Sequence, residues 1–213
     1  ILELAQNLEY PFIKVLMDME LEGIQVDIGL LENLRRKSGE HITELSQKIY
    51  NLCGETFNLN SPQQLAHILF ENLKLKPGRS VKGGLSTDEK TLLAIIDSHP
   101  VIELILDYRE SNKLKSTYIE PLLRLGKANE THRIHTSFLQ NGTATGRLSS
   151  KSPNLQNIPV RREEGRKIRQ AFISKENHSL ISIDYSQIEL RLLAHFCKDP
   201  SLIESFMQDK DIH

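Results

Sequence analysis

Residues 133–139 read Arg-Ile-His-Thr-Ser-Phe-Leu, and this stretch decides the class of fold. The residues at every second position are Ile134, Thr136 and Phe138, and this period of two is typical of a β-strand. Before this stretch, the apolar residues recur every three or four positions, which is the period of a helix. The sequence therefore predicts an α+β fold, with a helical part at about residues 1–126 and an α+β part at about residues 127–213.

Two long amphipathic helices dominate the helical part. The first is predicted over about residues 28–52, with Asp27 as its N-terminal cap and Gly54 at its end. The second helical stretch is predicted over about residues 87–97 and then 100–125, and Pro121 is expected to kink or end it. Each helix carries one apolar stripe, so the sequence predicts that the two pack as an antiparallel pair.

Shorter elements are predicted around this pair. A helix with Pro11 in its first turn is expected to stop at Gly23. A short helix capped by Ser61 ends near residue 72. Residues 74–86 are basic and rich in glycine, a composition that is typical of a loop.

The part after residue 139 is predicted to alternate between loop, strand and helix. Residues 141–162 are rich in Gly, Ser, Thr, Asn and Pro, which favours an extended loop. Residues 179–185, Ser-Leu-Ile-Ser-Ile-Asp-Tyr, are predicted to form a short buried strand. Helices are then predicted over residues 188–196 and 201–208.

The charge of the chain is unevenly distributed. Its formal net charge is -1, which by itself predicts no nucleic-acid partner. Residues 143–175, however, carry eight bases and two acids, a local excess of six positive charges among small polar residues. Such a stretch suits contacts with phosphates, and a solvated charged face is the alternative interpretation.

Other totals exclude some classes of protein. The two cysteines, Cys53 and Cys197, lie far apart and form no metal-spaced cluster, as in a reduced cytoplasmic protein. No apolar run approaches the roughly 18 residues that span a membrane, so no membrane partner is expected. The chain starts at Ile1 and stops at His213, and both ends are expected to be cuts from a longer protein.

Asp184 is the first candidate for chemistry, because it directly follows the apolar residues 180–183. A carboxylate at the end of a buried strand suits Mg²⁺, which prefers oxygen ligands in a fixed geometry. Two-metal phosphoryl transfer uses such an aspartate to bridge two ions. By spacing alone, the favoured alternative is that Asp184 caps the helix that begins near Gln187.

Four stretches of the chain resemble segments of family A DNA polymerases. Residues 184–191, Asp-Tyr-Ser-Gln-Ile-Glu-Leu-Arg, resemble the first palm motif. Residues 143–150, Thr-Ala-Thr-Gly-Arg-Leu-Ser-Ser, and residues 153–161, Pro-Asn-Leu-Gln-Asn-Ile-Pro-Val-Arg, resemble the primer–template-binding segment. Residues 113–118, Lys-Leu-Lys-Ser-Thr-Tyr, resemble the thumb, and the likeness runs from about residue 10 to the end.

This resemblance implies both a fold and an activity. Residues 1–126 would form a linker and a helical thumb that grips the duplex, and residues 127–213 part of an antiparallel-sheet palm, without fingers. The parent protein would be a DNA-directed DNA polymerase of replication and repair, located in the bacterial cytoplasm at the nucleoid. It would add deoxynucleotides to a primer 3′-end by two-metal phosphoryl transfer, with two Mg²⁺ ions, primer–template duplex and deoxynucleoside triphosphates as partners.

The resemblance also assigns roles to residues of the palm. Asp184 would bind both metal ions, and Tyr185 would offer its backbone carbonyl to one of them. Glu189 would lie below the incoming sugar and leave no room for a 2′-hydroxyl, and for this residue a solvated helix position is the alternative. The residues that would border the incoming nucleotide are Ser186, Gln187, Ile188, Glu189 and His213.

A second set of residues is implied to bind DNA. Arg147 would reach the minor groove at the primer end, where acceptors are present on every base pair. For Asn154, which follows a proline, Asx-turn chemistry is the alternative. The residues implied to bind DNA are Asn58, Asn60, Arg109, Lys113, Lys115, Arg147, Asn154, Gln156, Asn157 and Arg161, together with the loop at residues 80–87.

The 213 residues lack other parts that the family requires. The fingers helix and the second palm motif are absent, so the chain alone is expected not to polymerise. A palm sheet without its partner strands would leave an exposed edge, which favours dimerisation or domain swapping. The main alternative is a sequence-independent DNA-binding module without catalysis. A metal-dependent phosphohydrolase that uses Asp184 with His195 or His213 is a disfavoured third hypothesis.

Overall fold

The part of the chain that the computed structural model describes comprises residues 2–76, 80–81, 84–160 and 163–208. By their internal contacts, the residues fall into two units, Ile1–Glu176 and Asn177–His213. The predicted boundary near residue 126, which separates thumb from palm, stays a prediction.

The larger unit begins with helical residues. One turn, α1 (Leu2–Leu4), leads through a π-helical stretch (Ala5–Glu9) into α2 (Tyr10–Glu22). Pro11 lies in the first turn of α2, as predicted, where its missing N–H is not needed. Gly23 ends the helix at a φ of +62°, and its N–H donates to the carbonyl of Met19.

Strand β1 (Ile24–Val26) and helix α3 (Ile28–Cys53) follow directly. The predicted cap is confirmed, because the carboxylate of Asp27 accepts a hydrogen bond from the backbone N–H of Leu30 at 2.8 Å. Gly54 ends the helix in the left-handed conformation, at a φ of +78°, as predicted.

Shorter elements precede the second long helix. They are α4 (Pro62–Ala66), a π-helical stretch (His67–Asn72), β2 (Ser80–Val81), β3 (Gly84–Leu85), α5 (Glu89–Leu93) and a 3₁₀ turn (Ile96–Ser98). Ser61 caps α4 as predicted, since its hydroxyl accepts from the N–H of Gln64 at 3.4 Å. Strands β2 and β3 pair within the predicted loop at residues 74–86, of which residues 77–79 and 82–83 lie outside the described part.

The second long helix consists of α6 (Val101–Leu114), a π-helical stretch (Lys115–Ile119) and α7 (Glu120–Lys127). Pro121, which is expected to kink or end this helix, does not end it. Wider π-type turns directly precede the proline, which then occupies the first turn of α7. There its missing N–H costs the helix little, because the π-helical stretch has already changed the hydrogen-bonding pattern.

The two long helices run antiparallel, as predicted. An ion pair joins Glu32, near the start of α3, to Lys127 at the end of α7. Farther along the pair, His41 lies 3.3 Å from the carboxylate of Asp107. No helix among the described residues is long and apolar enough to cross a bilayer.

Two small sheets complete the larger unit. The remaining elements are β4 (Arg133–Ile134), β5 (Ser137–Leu139), β6 (Ser149–Lys151), α8 (Glu163–Arg169) and β7 (Phe172–Ile173). Strand β1 lies at the centre of the order β4-β1-β7, and both neighbours are antiparallel to it. Strand β5 pairs with β6 in a separate two-stranded sheet, where Phe138 lies opposite Ser150. The α+β class that the sequence predicts is therefore confirmed.

The alternation at residues 133–139 predicts a single strand, but the structure does not form one there. The stretch divides into β4 and β5, which pair in different sheets. At the break, the hydroxyl of Thr136 bonds to the carbonyls of Lys151 and Pro153, at 3.1 and 2.6 Å. A pattern of period two reports which side of the backbone is buried, but not which strand pairs with it.

The larger unit has two hydrophobic clusters. The first joins the C-terminal half of α3 to α4, α5 and the start of α6, and includes Ile49, Leu65, Leu69, Leu92, Ile102 and Ile105. The second joins the start of α3 to α7, α8 and the central sheet, and includes Val26, Leu31, Leu122, Ile134, Ile158 and Ile168. The second cluster therefore packs the helix pair against the sheet and against the loop that contains Ile158.

In residues 177–208 of the smaller unit, the structure has two helices, α9 (Ile188–Cys197) and α10 (Pro200–Met207), close to the predicted ranges. Asp199 caps α10, because its carboxylate accepts from the N–H of Leu202 at 2.9 Å. The guanidinium of Arg191 lies 4.7 Å from the centre of the Phe206 ring, which holds the two helices together.

Residues 179–185 form no helix and no strand among the described residues, so the predicted buried strand is wrong here. The side chains of Ile181 and Ile183 are 81% and 91% exposed. A strand exists only when another strand pairs with its N–H and C=O groups, and no described segment does so. Asp184 does not cap α9 either, since Gln187 is the N-cap residue, at a φ of +52°.

Candidate nucleic-acid interface

Helix α6 brings together several residues that the sequence assigns to the duplex grip. The side-chain amide of Asn112 donates to the side-chain oxygen of Asn60 at 3.1 Å. The backbone N–H of Asn60 in turn donates to the side-chain oxygen of Asn58 at 3.0 Å. A row of amide groups therefore connects α6 to the segment before α4.

Arg109 is committed to a neighbouring segment. Its guanidinium donates to the carbonyl of Thr87 and, at 3.2 Å, to the hydroxyl of the same residue. Burial lowers the pKa of Arg109, and the nearby carboxylate of Asp88 opposes that change. A guanidinium is so strongly basic that the side chain stays charged. Arg109 thus fixes the segment that follows β3, and it keeps further N–H donors for another partner.

The two lysines that follow on the same helix differ in their surroundings. The side chain of Lys113 is exposed. The ammonium of Lys115 lies 3.7 Å from the carboxylate of Glu120, which balances part of its charge. Lys113 is therefore the better placed of the two for an external anion.

The loop after β6 is braced by its own polar side chains. The side-chain oxygen of Asn154 accepts from the N–H of Gln156 at 3.1 Å and from the hydroxyl of Ser150 at 3.3 Å. The side-chain amide of Gln156 donates to the carbonyl of Leu148 at 3.0 Å. The Asx-turn alternative for Asn154 is thus present in the structure, and both side chains hold the loop in shape.

Arg147 lies in the loop between β5 and β6, with its side chain exposed. Its carbonyl accepts a hydrogen bond from the hydroxyl of Thr143 at 2.8 Å. Gly146, directly before it, has a φ of +76°, a conformation that glycine adopts without cost. The backbone therefore takes a left-handed conformation at Gly146, the residue directly before Arg147.

A cleft of about 800 Å³ runs between α6 and the loop at residues 153–160. Arg109 and Lys113 line it from the helix, and Asn157 lines it from the loop. Four carboxylates line it as well, those of Glu89, Glu103, Asp107 and Glu110. Arg109 and Lys113 are the cations of this lining that could contact a phosphate backbone, and such contacts position a duplex without reading its sequence.

In the smaller unit, the residues of the predicted palm motif are open to solvent. Asp184, Tyr185, Ser186 and Glu189 are exposed, and Glu189 lies in the first turn of α9, as expected. The guanidinium of Arg191 donates to the carbonyl of Ser186 at 2.9 Å, which fixes the turn before the helix.

These residues fit a metal ion only in part. Asp184 offers a carboxylate and Tyr185 a carbonyl, whereas Mg²⁺ requires six oxygen ligands. Among the described residues, no group of three or more His, Cys, Asp or Glu side chains is arranged to hold a metal. Asp184 and Tyr185 would therefore supply only part of a ligand set. Arg161 and His213, which were also predicted to bind DNA and nucleotide, lie outside the described residues.

Comparison with known proteins then decides the family. The sequence profile of DNA polymerase family A matches residues 29–213. The chain belongs to DNA polymerase family A. This family A chain is 51% identical over 214 residues to DNA polymerase I of Helicobacter pylori strain J99, and 49% identical over 213 residues to that of Bacillus subtilis strain 168.

The family A chain covers only part of each relative. All of it aligns in both cases, but it spans 23% of the Helicobacter protein and 24% of the Bacillus protein. A solved structure, the POL domain of Pol1 from M. smegmatis in complex with DNA primer-template and dNTP, superposes with a TM-score of 0.90 at 39% identity. That comparison covers all of this chain and 37% of the other.

Two contacts escaped the sequence analysis. Thr87 was predicted only as part of a loop, and Tyr118 only as part of the thumb segment. The hydroxyl of Tyr118 donates to the carbonyl of Asn157 at 2.7 Å, across 39 positions of sequence. No local pattern reports such a pairing, because each partner is an ordinary residue of its own element.

Proposed function

We propose that this family A chain is the duplex-holding part of a DNA-directed DNA polymerase. The observation that carries the proposal is that Arg109 and Lys113 of α6 line the same cleft as Asn157. These residues come from two distant stretches of sequence, and both stretches resemble DNA-contacting segments of the family. The solved relative that superposes on the whole chain holds a DNA primer-template.

The parent protein, on this proposal, adds deoxynucleotides to a primer 3′-end and uses Mg²⁺. The relatives' name, DNA polymerase I, and the dNTP held by the solved relative support this activity. The share of this chain in the metal site is the carboxylate of Asp184 and the carbonyl of Tyr185. Ser186, Gln187, Ile188 and Glu189 would border the nucleotide. A chromosomal substrate would place the protein at the nucleoid, in the bacterial cytoplasm.

The chain alone is proposed to bind duplex without extending it. This proposal is supported by Asp184, which contributes one carboxylate where two ions would need several. The test is a primer-extension assay with Mg²⁺ and all four deoxynucleotides, run on this chain and on the full-length protein. We expect extension only by the full-length protein, and measurable extension by the chain would contradict the proposal.

The alternative is a duplex-binding module whose parent protein has no catalysis. The exposed and isolated carboxylate of Asp184 favours it as far as the described part of this chain is concerned. The same assay separates the two, because a full-length protein that binds primer–template but never extends it would support the module.

A lysine in the cleft provides a test of the grip itself. We expect Lys113→Ala to weaken duplex binding by a similar factor on unrelated sequences, because a phosphate contact carries no sequence information. The slope of log K against log salt should fall by about 1, the value for one released counterion. Fluorescence anisotropy titrations from low to moderate salt measure both.

The matched control is Lys14→Ala, which removes an exposed lysine from α2. This variant should leave the slope unchanged. If both variants lower the slope of log K against log salt by the same amount, the change is caused by net charge. The proposal that Lys113 contacts the duplex is then wrong.

A further inference from the structure

Tyr118 joins the second long helix to the loop at residues 153–159. Its hydroxyl donates to the backbone carbonyl of Asn157 at 2.7 Å, the usual length for a hydrogen bond between two oxygens. Tyr118 lies in the π-helical stretch between α6 and α7. The bond therefore connects the helix pair directly to the loop that carries Asn154, Gln156 and Asn157.

The same loop is held on the far side of Asn157 by packing. The side chain of Ile158 is buried in the second hydrophobic cluster. Helix α8 approaches the backbone so closely that a Cβ on Gly165 would lie 2.5 Å from the carbonyl oxygen of Pro159. These contacts fix the residues after Asn157, and Tyr118 adds a directional contact at Asn157 itself.

Two clefts are lined by both Tyr118 and Asn157. Both line the cleft of about 800 Å³ that contains Arg109 and Lys113. Both also line a second cleft, of about 380 Å³, which Arg124 borders. The two residues are therefore shared by both clefts, the first of which also contains four carboxylates.

We propose that Tyr118 is a positioning residue for duplex binding. Its hydroxyl fixes the backbone at Asn157, and it thereby sets the position of the Asn157 side chain in a residue that lines both clefts. A neutral amide bonds to DNA over a short range only, so its contribution depends on where the backbone places it. This inference rests on the proposed duplex-binding function and adds a residue that acts through another one.

Tyr118→Phe in the full-length protein is the first test. The substitution keeps the ring and removes only the hydroxyl. We expect the Kd for a labelled primer–template duplex to rise about fivefold, which corresponds to the loss of one ordinary hydrogen bond. Tyr10→Phe, which removes a hydroxyl from an exposed ring on α2, is the matched control and should leave the Kd unchanged.

A double-mutant cycle separates positioning from general stability. We expect Asn157→Ala to weaken binding, and Tyr118→Phe in the Asn157→Ala background to add less than about twofold, because coupled sites are not additive. A full fivefold effect in that background would show that Tyr118 does not act through Asn157. The proposal would also be wrong if the melting temperature of Tyr118→Phe fell far enough to account for the whole loss of duplex binding.

The cycle also distinguishes failure of this inference from failure of the proposed function. If the unaltered protein does not bind the duplex, both are wrong. If it binds, and either Tyr118→Phe or Asn157→Ala has no effect, the duplex-binding function stands and the role given to Tyr118 is wrong.

Discussion

Asp184→Asn in the full-length protein is expected to lower kcat for primer extension by about a thousandfold or more. The change keeps the shape of the side chain and removes the negative charge that the proposed function assigns to the metal pair. Metal ions contribute several kcal/mol to such reactions, and about 4 kcal/mol corresponds to three powers of ten in rate. Single-turnover extension measured across a range of Mg²⁺ concentrations tests the expectation.

The matched control is Asp199→Asn, 15 positions further along the chain. Asp199 caps α10, and asparagine caps a helix about as well as aspartate does. That variant should extend primers at the parent rate, and both variants should bind duplex with the parent affinity. If the Asp184→Asn protein retains more than a tenth of the parent kcat, the proposal that Asp184 binds the metal ions is wrong.

Gly23→Ala is expected to have the largest effect on stability. Gly23 has a φ of +62° and a ψ of -166°, a region that is essentially restricted to glycine. A Cβ there would lie 2.6 Å from the carbonyl oxygen of Ile134 and 2.8 Å from the ring of His135. Conformational strain and this clash together are expected to lower the free energy of unfolding by roughly 3 kcal/mol or more.

Gly54→Ala provides the comparison, because Gly54 also has a positive φ, of +78°. The position that a Cβ would take on Gly54 has no atom within 4 Å among the described residues, so only the conformational cost remains. That cost is about 1 kcal/mol. Equilibrium urea denaturation of the two variants beside the parent gives the difference. Equal losses in both would mean that the contact with Ile134 relaxes without cost.

The features that could be predicted from the sequence are those with local causes. The helices begin or end as expected at Asp27, Gly23 and Gly54, because a cap or a left-handed turn involves only a few neighbouring residues. The antiparallel helix pair followed from two apolar stripes, which have few other ways to be buried. The α+β class followed from the change of period at residue 133.

The features that could not be predicted depend on partners that are distant in sequence. Residues 179–185 have the composition of a strand, but strand formation requires a second segment to pair with. The contacts of Arg109 with Thr87 and of Tyr118 with Asn157 join separate elements. For the candidate site, the sequence identified the residue types, while the structure places Arg109, Lys113 and Asn157 on one cleft.

The exposed isoleucines at residues 181 and 183 have a consequence during synthesis of the protein. A ribosome adds about 5–20 residues each second, so any later segment that covers these side chains arrives only after a delay. During that time a short, uncharged and β-prone stretch is open to proteases and to other nascent chains. The stretch ends at Asp184, and this charge interrupts the apolar run, as gatekeeper residues do. The carboxylate proposed for the metal site would therefore also protect the young polypeptide from aggregation.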